Sequence, residues 1–171
     1  MFKVNELKCL ITDVDGVLSD GYLHLSNNGD EFKSFHVHDG MGLKLLMHAG
    51  IQVAVITTSE NNIIDTRMNQ LGIEHYYSGF IDKCAAYKDL KKKLNLQDNN
   101  FAYIGDDLPD IPVMLQVGLK LTVADAQPEV KEIADYISKA KGGHGAVREI
   151  CNIIISKLKL KQQAIEKYLN G

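Results

Sequence analysis

The chain has 171 residues, 45% of them hydrophobic and 24% charged, with a formal net charge of −3. That length suits one domain with its own core and is hardly enough for two, and a slightly acidic chain without Lys/Arg runs interleaved with aromatics argues against a nucleic-acid partner. Cys9, Cys84 and Cys151 are far apart in sequence and read as reduced thiols; no apolar run approaches the ~20 residues of a membrane helix, so a cytoplasmic protein with no membrane partner is expected.

In chain order, the first continuous apolar run covers residues 8–12, with Cys9, Leu10 and Ile11. Similar runs follow at 52–57, 101–104 and 120–123. Continuous rather than alternating apolar residues predict parallel strands covered on both faces. Residues 21–35 instead alternate apolar and polar side chains around Asn28-Gly29, which predicts a β-hairpin. A lone hairpin is marginal in water, so this one is expected to hang off the domain and pack on another subunit. Helices are predicted over 40–50 (Leu43, Leu46 and Met47 at helical spacing) and over 61–71, closed by Gly72. Another covers 84–94, with Lys91-Lys92-Lys93 as its solvated face, and residues 147–169 read as one longer C-terminal helical region. This alternation predicts a single α/β domain with a doubly wound parallel sheet and a hairpin inserted after the first strand.

The chemistry lies where the predicted strands end. Asp13-Val14-Asp15-Gly16-Val17 follows the first strand. Spacing of two brings both carboxylates to one pocket once the loop bends, and Gly16 permits that bend. Such a pair repels unless a cation or a proton intervenes, which points to a hard, oxygen-ligated ion such as Mg²⁺. Taken alone, an Asp-x-Asp is equally a helix cap or a solvated loop pair. Gly105-Asp106-Asp107-Leu108-Pro109-Asp110 follows a second central strand, and two acidic clusters at equivalent strand ends can converge on one ion. Asp106 is the natural third ligand; Asp107 and Asp110 orient ligands or cap the next helix. Thr57-Thr58-Ser59 precedes a helix, as a phosphate site or as plain capping. Lys83 stands at a helix start, where the dipole opposes it and a phosphate would hold it.

In this order and strand context, Asp13-Val14-Asp15-Gly16-Val17, Thr57, Lys83 and Gly105-Asp106-Asp107-Leu108-Pro109-Asp110 resemble the four motifs of the haloacid dehalogenase superfamily of phosphatases. The resemblance spans nearly the whole chain. The absence of a cap domain, the hairpin, Phe35-His36-Val37-His38-Asp39-Gly40 and Gly142-Gly143-His144-Gly145 resemble a capless branch that hydrolyses small phosphorylated sugar acids. The resemblance implies that Asp13 is the nucleophile and forms an aspartyl-phosphate. Mg²⁺ would be held by Asp13, the Asp15 carbonyl and Asp106. Asp15 would be the general acid and base, with a pKa above that of Asp13, and Thr57 and Lys83 would hold the phosphoryl oxygens. Substrate contacts are implied for Asp15, His36, Val37, His38, Asp39, Gly40, Arg67 and Lys83. Ser59 and Lys44 stand where that branch carries arginines, which leaves an eight-carbon or a nine-carbon keto acid open. The resemblance further implies a homotetramer whose hairpins form a central barrel and whose subunit contacts stand in for the cap.

The glycine-rich stretch at 142–145 is too flexible to be core and reads as a loop reaching toward an active site, its own or a neighbour's. His36, His38 and His144 match no zinc spacing. Two rival classes share this residue set. A phospho-accepting receiver carries its acceptor Asp on a later strand, and a binding module on the same fold would be without turnover.

Overall fold

The computed structural model describes residues 4–170. β1 (Cys9–Thr12) is followed by a two-stranded hairpin, β2 (His24–Leu25) and β3 (Glu31–Phe32). Then come α1 (Val37–His48), β4 (Gln52–Ile56), α2 (Asn62–Leu71), β5 (His75–Tyr77), α3 (Lys83–Leu94) and β6 (Phe101–Gly105). A short α4 (Ile111–Met114), β7 (Leu119–Thr122), α5 (Pro128–Ile133), β8 (Tyr136–Ile137), α6 (Ala146–Lys157) and α7 (Lys161–Asn170) complete the described chain.

Six strands pair in parallel in the order β5-β4-β1-β6-β7-β8. Counting only these strands along the chain, that is 3-2-1-4-5-6, the doubly wound order, and ligands bind beyond the carboxyl ends where it reverses. Here the reversal lies between β1 and β6. Every residue of β1 and β6 is buried, because helices cover both faces of the sheet.

The helix ends follow their local chemistry. Asn61 caps α2 by accepting from the Ile63 N–H, and Gly72 closes it in the left-handed region at φ 74°. Asp82 caps α3 through the Cys84 N–H. α1 starts at Val37, three residues before the expected start. The expected long C-terminal helix is two: Lys159 takes φ 58° between α6 and α7, and the chain turns back. The short edge strands β5 and β8 and the single-turn α5 escape a periodicity reading, because edge strands lie outside the continuous apolar runs.

The hairpin does not hang free of the domain. Its turn closes with Ser26 N–H on Asp30 O at 2.9 Å and Gly29 N–H on Ser26 O at 3.0 Å. Its base is joined by an antiparallel bridge between Ser19 and Phe35. Tyr22, Leu23, Leu25 and Phe32 are nevertheless exposed along it.

α1 packs against α6 at glycine distance: a Cβ on Gly42 would lie 3.1 Å from Arg148 Cα and 3.2 Å from Cys151 Cβ. Gly42→Leu is therefore expected to destabilise the chain by about 1–3 kcal/mol through overpacking, even though leucine gains close to ~1 kcal/mol of helix propensity over glycine. A urea titration gives the sign, and an unchanged or raised midpoint would contradict the close approach.

Candidate active site

In the β1–β6 register Thr12 stands opposite Ile104, so Asp13 and Asp106 leave the sheet side by side at the reversal point. The Asp13 N–H is still held by Ile104 O at 3.0 Å, and Asp13 Oδ1 accepts from the Val14 N–H at 2.7 Å. Gly16 follows at φ 82°, and a Cβ there would collide with the Asp106 carboxylate. Only glycine lets the loop after β1 fold onto the second acidic residue. Carboxylate oxygens of Asp13, Asp106 and Asp110 all lie within 4.8 Å of one another.

Lys83, buried at the start of α3, places Nζ 2.8 Å from Asp13 Oδ2 and 2.7 Å from Asp110 Oδ1. Asp110 is fully buried and saturated. Oδ1 also accepts from the Tyr103 hydroxyl at 2.7 Å, and Oδ2 accepts from the Asp106 and Asp107 N–H groups at 2.9 and 3.3 Å. Asp110 is thus bonded to Lys83 and to the turn after β6. Asp107 faces outward and accepts from the Leu108 N–H. Asp106 Oδ1 is different: it is buried and has no partner.

The charge balance accounts for this. Burial, then the neighbouring charge of Asp110, pushes Asp13 up to about 7, against the pull of Lys83. Burial, then Asp13 and Asp110, pushes Asp106 up to about 8. Burial alone would lower Lys83, but Asp13 and Asp110 hold it above its ordinary value. A buried and a half-buried carboxylate that resist ionisation, one with an orphaned oxygen, fit a hard divalent cation with oxygen ligands between Asp13 and Asp106.

The Asp15 side chain turns away from that place. Oδ1 accepts from Lys33 Nζ at 2.6 Å and from Ser19 Oγ at 3.3 Å, and Oδ2 accepts from Ser59 Oγ at 2.5 Å. Only its main-chain carbonyl remains to serve an ion. Burial alone would raise Asp15, but the hydrogen bonds from Lys33 and Ser59 with the lysine's charge outweigh it and hold the carboxyl below its ordinary value. The expected order of Asp15 above Asp13 is thus reversed in the ion-free chain. Asp13 sits among like charges, whereas Asp15 has a cation of its own.

Lys33 was not foreseen. It lies just beyond β3, its side chain 2% exposed, and it also pairs with Glu31 Oε1 at 3.1 Å. A signal was present: two-residue alternation puts Glu31 and Lys33 on one face and Phe32 on the other. Tyr103 was also missed, as one apolar-looking residue within a buried strand.

Thr57 follows β4, beside β1, and is buried; its Oγ1 accepts from the Ser59 N–H at 3.1 Å. Ser59 was expected to face the substrate but is occupied by Asp15. The segment 36–40 divides. Val37 and His38 are exposed, while His36 stacks edge-on against His38 and its buried Nδ1 is unpartnered. Asp39 is 1% exposed and accepts from the Gly145 and Arg148 N–H groups at 3.1 and 2.7 Å. It was expected to face the substrate, and here both its oxygens cap α6 from a distance. Gly40 gives room to the Arg67 guanidinium, which lies 5.8 Å from the centre of the Phe35 ring. Arg67 thus packs on its own chain and makes no bond to the acidic cluster. Lys44 is half-buried and forms no ion pair with the described residues.

The loop at 142–145 is packed, not loose. Gly142 is buried, with its N–H on Asp125 Oδ1 at 2.9 Å, and a Cβ there would collide with Gly16 O. The Gly143 N–H donates to Val17 O at 2.9 Å. This loop therefore backs the first acidic loop of its own chain. Among the described residues, no histidine joins the acidic cluster.

Protons and a cation compete for the space between Asp13 and Asp106. Their raised folded-state pKa values favour the folded state fully below the unfolded value of about 4. That contribution is lost as pH rises through about 7 and about 8. With no metal added, the chain is expected to lose thermal stability between roughly pH 4 and pH 8 and to level off above that. A divalent cation should raise Tm more at the alkaline end than at the acid end. Equal metal-induced shifts at both ends of a thermal-melt series would show that these carboxyls do not hold the ion.

The chain resembles known proteins over nearly its full length. It is 46% identical over 155 residues to the Escherichia coli protein named 3-deoxy-D-manno-octulosonate 8-phosphate phosphatase KdsC, covering 91% of this chain and 82% of that one. A solved structure described as a HAD superfamily (subfamily III A) hydrolase from Legionella pneumophila superposes with a TM-score of 0.97 at 58% identity, covering 98% of this chain and 92% of the other. The 3-deoxy-D-manno-octulosonate 8-phosphate phosphatase of Moraxella catarrhalis, solved with magnesium, phosphate and KDO, superposes with a TM-score of 0.92 at 38% identity, covering 96% and 95%. Residues 51–150 match the family described as haloacid dehalogenase-like hydrolase, and with sequence, fold and strand-end carboxylates in agreement, this chain belongs to that family.

Proposed function

We propose that this chain is a Mg²⁺-dependent phosphomonoesterase that hydrolyses 3-deoxy-D-manno-octulosonate 8-phosphate to KDO and phosphate, a reaction of lipopolysaccharide biosynthesis. The observation that carries it is Asp13, buried at the sheet's reversal point with Lys83 at 2.8 Å and Asp106 beside it, in a chain 46% identical to a phosphatase of that name. That identity also favours turnover over a receiver's retention of phosphate or a binding module.

Asp13, Asp106 and the Asp15 carbonyl would hold Mg²⁺, which when bound offsets the repulsion between a carboxylate nucleophile and a phosphate dianion. Asp13 attacks phosphorus and is released from the aspartyl-phosphate by water. Lys83, fixed by Asp110, keeps the Asp13 carboxylate in place and meets the phosphoryl oxygens, with Thr57 at the neighbouring strand end. Asp15 gives a proton to the departing sugar oxygen and later takes one from water. It begins ionised beside Lys33, so it takes up its proton as the dianionic substrate arrives and raises its proton affinity.

The exposed Tyr22, Leu23, Leu25 and Phe32 support a homotetramer assembled through the hairpins, with subunit contacts covering the site. No helix among the described residues is long and apolar enough to cross a membrane; the proposed location is the cytoplasm.

Asp13→Asn should abolish turnover while circular dichroism and Tm show an intact fold; more than a few per cent of residual activity, of order 10⁻², would sink the nucleophile assignment. EDTA should stop the reaction and Mg²⁺ restore it. In phosphate-release assays, kcat/KM should favour 3-deoxy-D-manno-octulosonate 8-phosphate over nine-carbon keto-acid 9-phosphates and hexose phosphates. A preference for the nine-carbon acid would keep the chemistry and reject the substrate.

Light scattering should give a tetramer at micromolar concentration, and Phe32→Glu with Leu25→Glu should lower its mass. A monomer in the unsubstituted chain would contradict the assembly.

A further inference from the structure

We propose that Lys33 is a positioning residue for the reaction: carried in by the hairpin, its ammonium fixes the direction of the Asp15 carboxylate so that the proton is delivered to the leaving oxygen. This rests on the reading of Asp15 as general acid and goes beyond it by assigning a role to a residue outside the four motifs.

The geometry is a closed set of contacts among three loops. Lys33 Nζ holds Asp15 Oδ1 at 2.6 Å from one side, and Ser59 Oγ holds Oδ2 at 2.5 Å from the other. Lys33 is itself aimed by Glu31 Oε1 at 3.1 Å. Glu31 Oε2 accepts from Asn61 Nδ2 at 2.6 Å, and Asn61 Oδ1 caps α2 by accepting from the Ile63 N–H at 2.7 Å. The chain of contacts therefore starts at a fixed helix end and finishes at Asp15, crossing the hairpin on the way.

An Asp side chain that keeps 31% of its surface in solvent would otherwise sample several rotamers. Donors on opposite oxygens leave it one direction. A buried ion pair is weak evidence for stability, since desolvation cancels much of the attraction. Placing a lysine whose side chain is only 2% exposed against the Asp15 carboxylate is better explained by orientation. Misplacing a reacting group by ~1 Å costs about 10²-fold, which sets the scale of the expected loss.

The test compares leaving groups. A sugar alkoxide must be protonated as it departs, whereas 2,4-dinitrophenolate leaves unaided, and kcat/KM reports the steps through formation of the phosphoenzyme. Lys33→Met is expected to lower kcat/KM for 3-deoxy-D-manno-octulosonate 8-phosphate by about 10- to 100-fold and to leave that for 2,4-dinitrophenyl phosphate near the unsubstituted value. Lys33→Arg, which keeps the donor, should recover most of the loss. Asp15→Asn run in parallel separates the two levels of argument. If it slows both substrates equally, the general-acid reading fails and the proposal falls with it. If Asp15→Asn is selective for the sugar phosphate and Lys33→Met is silent or slows both substrates alike, the acid stands and the role of Lys33 is overturned. A variant that fails to fold slows both substrates; a normal Tm with equal loss on both counts against the proposal, and Lys33→Arg then supplies the folded comparison, its selective loss or retention deciding in the same way.

Discussion

The parallel pairing of β1 with β6 forces Asp13 and Asp106 to leave the sheet at neighbouring points, and Asp110 folds back beneath them. Three carboxylates then share one buried ammonium, Lys83, and two negative charges are left over if all three ionise. At short range in a poorly solvated site that excess is unfavourable. The chain can take up protons, which is the meaning of the raised Asp13 and Asp106 values, or accept a divalent cation. Asp110 does not relieve the excess, because every direction around it is filled by Lys83, Tyr103 and two N–H groups. The orphaned Asp106 oxygen therefore marks where the missing positive charge belongs.

Close backbone approach is the second requirement, and it explains the glycines at two contact points around the site. Gly16 brings the first acidic loop against Asp106, and Gly142 seats the distant 142–145 loop against that same first loop from outside. Asp39 strengthens this arrangement by capping α6 just beyond the second segment. A carboxylate in the stretch that resembles a substrate-binding motif is thereby spent on architecture. Its neighbours Val37 and His38 stay exposed.

The central strands were legible because continuous apolar runs are a local signal, and the acidic clusters were legible because they follow those runs at once. What could not be read were contacts between segments distant in sequence. Lys33 is an ordinary surface-type residue in the sequence and becomes a buried partner of Asp15 only when the hairpin folds over the first loop. Asp39 looks like a ligand-facing acid until α6, more than a hundred residues later, presents its N–H groups. Ser59 stands where an arginine was expected. In the folded chain it is a donor to Asp15, a change of partner that spacing alone does not reveal. The edge strands β5 and β8 were invisible for another reason: their few residues hold no continuous apolar run.

The two aspartates, one residue apart, are thus held under opposite electrostatic conditions. Asp13 lies among carboxylates, and burial with the charge of Asp110 favours its protonated form. Asp15 already has Lys33 and is ionised before any substrate arrives. A divalent cation held by Asp13 and Asp106 would favour the ionised form of Asp13, and a phosphate dianion nearby would raise the proton affinity of Asp15. The strand that turns Phe32 outward also turns Lys33 inward, so a contact that fixed the exposed face of the hairpin would also fix the cation that aims the acid.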